Sequence, residues 1–194
     1  MKLLRSALVL ALMGALAGLA YVAERAEPTG QKMGRAAARF VDALNADQKT
    51  KAVYDFDSKE RTNWYFTPHQ RNHKALRHGL ALANMTAQQR QAALDLLRTG
   101  TSAAGDDAAQ TIMSLEAILH ELEKNGSNVR DPNWYFFTVF GKPADKGKWG
   151  WRVEGHHFSL NFTVEDGEVV SATPAFFGAN PATVKSGPRK GLRT

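Results

Sequence analysis

Residues 149–180, WGWRVEGHHFSLNFTVEDGEVVSATPAFFGAN, constrain the fold of this chain more than any other stretch. Large apolar side chains alternate there with polar ones, the period of a strand whose two faces differ. Taking Glu154-Gly155 as a two-residue turn, Val153 faces His156, Trp151 faces Phe158 and Trp149 faces Leu160. The intervening pairs are Arg152 with His157 and Gly150 with Ser159. This register predicts a half-buried antiparallel hairpin, with every large apolar side chain on one face and a polar row on the other. A second turn at Asp166-Gly167 returns the chain through residues 168–173, which makes residues 149–173 a three-stranded meander.

Helical patterns precede it. Met33, Ala37, Phe40, Val41 and Leu44 share one face of a helix over residues 31–44, and Asn45 is suited to cap a short second helix ending near Tyr54. Residues 63–66, Asn-Trp-Tyr-Phe, read as a short strand, and the same four residues recur at 133–136. Thr67-Pro68 has the form of an N-cap and first helical position, predicting a polar helix through His78. Thr86 and Gln89 form a capping box before a helix over residues 87–99. After a break at 102–105, Asp106 or Asp107 is expected to start a longer helix ending at Asn125-Gly126, followed by a strand over 134–140. Helices first and an antiparallel sheet after them define an α+β fold, with N-terminal helices packed on a C-terminal β-meander.

The 194 residues leave room for one domain, residues 31–194, behind a targeting segment, residues 1–26. Lys2 and Arg5 precede an uncharged Leu/Ala-rich run over residues 6–23, and Gly18-Leu19-Ala20 offers small residues for cleavage. This is the pattern of a signal peptide, and its length also permits an uncleaved anchor. Either way the domain is expected to be exported, periplasmic or secreted, touching membrane only through that segment. The absence of cysteine excludes disulfides, Cys-ligated metals and thiol nucleophiles. The formal charge of +6 falls to about +4 without the leader, and the basic cluster over 185–193 lacks interleaved aromatics. Nucleic acid is therefore not an expected partner.

Three motifs resemble one family. Residues 149–163 (Trp-Gly-Trp-Arg-Val-Glu-Gly-His-His-Phe-Ser-Leu-Asn-Phe-Thr), 177–182 (Phe-Gly-Ala-Asn-Pro-Ala) and 187–192 (Gly-Pro-Arg-Lys-Gly-Leu) resemble the domain-of-unknown-function family 3500. Residues 85–97, 113–123, 130–132 and 137–141 also fit its pattern, so the resemblance spans about residues 31–194. It implies no activity and no catalytic residues. It does imply further helical sequence after the Gly-Pro-Arg motif, and hence a C-terminally incomplete chain.

Candidate chemistry centres on the His-His pair. On a strand, adjacent residues point to opposite faces, which assigns His156 to the apolar face and His157 to the polar row with Arg152, Ser159 and Asn161. With Asn180 on the following turn, these residues form a candidate ligand-binding set: His157, Arg152, Ser159, Asn161 and Asn180. The alternative is a His-dependent enzyme or metal protein centred on His156 and His157, with a transition metal as the cofactor. His69 and His73 are spaced for a metal on a helix but lack the general base of a His-Glu-x-x-His motif. Ser159 and His157 lie about 7 Å apart at strand rise, too far for a nucleophile and its base. No phosphate loop or dinucleotide fingerprint is present. The reading that results is a domain binding a small molecule or a protein partner.

Overall fold

Among the described residues, four α-helices begin where side chains satisfy their orphan N–H groups or where the apolar stripe requires them. In the computed structural model, which describes residues 27–123, 126–187 and 189–193, α1 (Thr29–Asp42) buries Met33, Ala36, Ala37 and Phe40. α2 (Ala46–Ala52) carries the expected Asn45 cap, completed by Gln48 as a capping box. α3 (Ala87–Thr99) opens with the Thr86/Gln89 box, and Gln89 also donates to the carbonyl of Ala43 at 2.8 Å. That bond ties the start of α3 to the end of α1, and the Gln48 and Gln89 side chains, 2.8 Å apart, join the N-termini of α2 and α3. α4 (Ala103–Leu122) starts earlier than expected, because Ser102 accepts the N–H of Gly105 at 3.1 Å. Gly105 sits inside the first turn rather than breaking the chain.

The sheet has seven strands. β1 (Val53–Tyr54) pairs parallel with β5 (Phe136–Phe140), and β4 (Leu80–Ala81) pairs antiparallel with the other end of β5. β5, β6 (Lys148–Gly155), β7 (Phe158–Glu165) and β8 (Glu168–Ser171) follow as an antiparallel meander. β9 (Ala175–Phe177) pairs with the first residues of β7. The fold is α+β, with helices on the face formed by Phe137, Val139, Trp149, Trp151, Val153, Phe158, Leu160, Phe162 and Val164. Trp151 stacks on Phe162 with ring centroids 4.7 Å apart. Gly100 lets the pair approach the end of α3, since a Cβ there would lie 2.8 Å from the Phe162 ring.

Four local expectations are corrected. The reversal between β6 and β7 is at His156-His157, not Glu154-Gly155, so Trp151 pairs with Phe162 and Arg152 with Asn161. The turn moves by two residues, so side-chain parity is kept and the apolar face is the expected one. His157 takes the left-handed backbone (φ 60°); its N–H donates to Phe66 at 2.7 Å and its carbonyl accepts from Gly178 at 2.8 Å. Gly155 serves a different need: a Cβ there would sit 2.3 Å from the Tyr135 ring. The polar helix expected over 67–78 is instead a small hairpin of β2 (Gln70–Arg71) and β3 (Lys74–Ala75). Asn72 and His73 both have positive φ at its tip, which no helix allows. Residues 63–66 form no strand and cross the sheet as an irregular segment, and the strand expected from Trp134 begins at Phe136.

The targeting segment, residues 1–26, lies outside the described residues. Among the described residues no helix is long and apolar enough to cross a membrane.

Candidate functional site

The second face of the meander is polar in sequence yet sealed from solvent. Arg152, Glu154 and Ser159 are fully buried and Asn161 is nearly so. Residues 56–78 cover them, and buried cations and carboxylates require such partners. Arg152 Nη1 donates to the carbonyls of Glu60 (2.9 Å) and Asn63 (3.0 Å), and Nη2 pairs with Glu60 Oε1 at 2.6 Å. Glu154 Oε2 accepts the N–H of Tyr65 at 2.8 Å. Arg77 donates to the carbonyls of Pro68 (2.6 Å), Thr67 and Gly155 (3.0 Å), and its Nε stands 4.0 Å from Glu154 Oε1. Burial raises the Glu154 carboxyl above its ordinary value despite both guanidinium groups, and burial likewise lowers Arg77. Arg152, which the sequence placed in the candidate ligand-binding set, therefore clamps the crossing segment to the sheet.

Asn161 is the residue of that row that reaches a pocket. Its Nδ2 donates to Pro174 O at 2.9 Å and Ser159 Oγ at 3.3 Å, which leaves Oδ1 as an acceptor. Beside it a pocket of about 260 Å³ is lined by Arg61, Thr62, Trp64, Trp151, Asn161 and Thr163, among others. Arg61 lies 4.5 Å over the Phe56 ring and uses Nε on the Phe56 carbonyl (3.0 Å). Its two Nη groups have no protein partner among the described residues. Arg61, Thr62 and Trp64 were not singled out from sequence as site residues. A signal existed in the Trp-Tyr-Phe run inside a polar stretch, which reads as a strand until the segment is seen to cross the sheet.

His156 and His157 are brought together by the turn, with ring centroids 4.1 Å apart, rather than split between faces. His156 Nδ1 contacts Glu116 Oε1 from α4 and lies 3.1 Å from Arg130 Nη1. One nitrogen cannot donate and accept at once. The closer Glu116 contact assigns the proton to Nδ1, and Nε2 has no protein partner among the described residues. Arg130 also holds Glu123 at 2.9 Å, and Tyr135 donates to the His156 carbonyl at 2.9 Å. Burial raises the Tyr135 phenol, and burial together with His156 lowers the His157 imidazole. The cleft over Glu116, Arg130 and His156 has room for about one water. Among the described residues no three His, Cys, Asp or Glu side chains gather as metal ligands. His157 faces Phe176, and Asn180 is exposed outside the pocket beside Asn161. Of the five sequence candidates, then, the structure joins Ser159 to Asn161, buries Arg152 beneath the crossing segment, and leaves His157 and Asn180 apart.

Comparison with curated proteins and with solved structures gave no match. A family model described as a protein of unknown function (DUF3500) matches residues 26–194, which include both faces of the sheet, the His-His turn and the pocket beside Asn161. The chain belongs to the DUF3500 family.

Proposed function

We propose that this protein is an exported binding domain that holds a small molecule in the pocket between the Trp64 segment and β7. The observation that carries the reading is the lining of that pocket. Among the described residues, a half-buried indole, a guanidinium whose Nη groups have no protein partner and the unpartnered amide oxygen of Asn161 converge on a pocket of about 260 Å³. That is just under the range of about 300–1,000 Å³ usual for drug-sized ligands and suits a smaller molecule held by a few convergent polar groups. The buried clamp around Arg152 supports the reading indirectly, because it holds the Trp64 segment rigidly against the sheet. The polar face thus contributes through Asn161, whose side-chain amide is held by Ser159 and Pro174.

A thermal-shift screen of the full chain against neutral and acidic sugars, hydroxy acids and amino acids tests this. At least one class is expected to raise the melting temperature of the wild type and to lose most of that effect in Trp64→Ala and Asn161→Ala. Ligands whose effect survives both substitutions would sink the reading.

Export rests on Lys2, Arg5 and the apolar run over 6–23. Residues 1–30 fused to a reporter active only outside the cytoplasm are expected to give signal, reduced by Lys2→Glu with Arg5→Glu. Signal unchanged by both substitutions, or no signal at all, would contradict export by this segment.

A further inference from the structure

We infer that the ligand of the Trp64–Asn161 pocket is a singly charged acidic sugar, a monosaccharide-sized molecule bearing one carboxylate. This rests on the reading of that pocket as a ligand site. The charge argument comes first. Among the described residues, Arg61 is the only charged side chain lining the pocket, and no carboxylate lines it. With Nε committed to the Phe56 carbonyl and the guanidinium carbon 4.5 Å from the Phe56 ring centroid, Arg61 is held at two points, and its Nη pair, without a protein partner among the described residues, is left as a fork. Such a fork matches a carboxylate with two parallel hydrogen bonds. A phosphate, with more charge and more acceptor oxygens, calls for further cations or clustered backbone N–H groups, and this lining supplies no second cation.

The rest of the lining suits a hydroxylated ring. Asn161 Nδ2 is already spent on Pro174 and Ser159, so the amide offers an acceptor and calls for a hydroxyl donor. Thr163 leaves its hydroxyl without a protein partner among the described residues, free to donate or accept. Trp64 supplies an apolar ring face for the C–H side of a sugar, and amphipathic aromatic residues of this kind serve ligands that are apolar on one face and polar at the edge. A purely apolar acid would leave Asn161 Oδ1 unpaired, and a neutral sugar would leave the Arg61 fork unpaired. Either omission weakens binding.

Isothermal titration of the full chain with glucuronate, galacturonate and mannuronate, alongside glucose, galactose and inorganic phosphate, tests the inference. At least one uronate is expected to bind on the order of tenfold tighter than its neutral counterpart and than phosphate. Arg61→Met should erase that preference, Arg61→Lys should retain part of it, and Trp64→Ala should weaken acidic and neutral sugars alike. The lysine variant keeps the test valid if the methionine variant does not fold. Neutral sugars binding as well as uronates, with Trp64→Ala abolishing both and Arg61→Met neither, would overturn the ligand class and leave the pocket reading intact. Phosphate binding tightest through Arg61 would likewise overturn the acidic sugar. Uronate binding indifferent to Arg61, Trp64 and Asn161 substitutions would overturn both.

Discussion

Arg152→Met is expected to destabilise the fold by about 3–5 kcal/mol, the cost of breaking a buried ion pair from one side. The guanidinium is fully buried and holds two carbonyls and the Glu60 carboxylate of the crossing segment, with Glu154 Oε2 3.6 Å from its Nε. Removing it leaves the fully buried Glu154 carboxylate with the Tyr65 N–H and an Arg77 Nε 4.0 Å away, and takes the guanidinium from half-buried Glu60. Methionine fills much of the same volume, so the loss reports charge and hydrogen bonding more than a cavity. Chemical denaturation of the variant gives the number, and Glu60→Gln in both backgrounds isolates the pair. A loss under about 1 kcal/mol, the value of an exposed pair, would mean that residues 56–66 are not clamped to the sheet as described.

Trp151→Ala should cost a comparable amount, about 3–5 kcal/mol, through the opposite face. Its indole is 1% exposed, stacks on Phe162 and meets the end of α3 at Gly100. Truncation opens a cavity where helices and sheet join, and neighbouring Trp149 and Val153 are themselves fully buried and cannot collapse into it freely. Urea unfolding should show a lower midpoint with an unchanged slope. A change near zero would place Trp151 outside the core.

The sequence made the apolar face of the sheet legible because strand parity survives an error in the turn. Trp149, Trp151, Phe158, Leu160 and Phe162 are buried together even though the reversal lies two residues later than the Glu154-Gly155 pair suggested. Gly155 misled because glycine signals both a turn and a close approach, and here Tyr135 occupies the space of its missing side chain. The caps at Asn45 and Thr86 were readable since their partners lie three residues away. The polar face was not readable in the same way. Alternation says that two faces differ and says nothing of what covers the second one. Glu60 and Arg152 are 92 residues apart in sequence, so no local pattern foretells that the row is a buried clamp. Of the candidate residues, Asn161 reaches the pocket, while its Arg61 and Trp64 walls come from a segment whose aromatic run imitates a strand.

The most direct test of the central claim is side-chain NMR of the full chain during titration with the strongest compound from the thermal-shift screen. Ligand capture between the Trp64 segment and β7 predicts that the indole Nε1–H of Trp64 and the side-chain amide of Asn161 shift together and saturate with one affinity. The buried indole of Trp149, which does not line the pocket, should move far less. Shifts confined to the imidazoles of His156 and His157, with Trp64 and Asn161 unmoved, would contradict the account and transfer the site to the His-His turn beside Glu116.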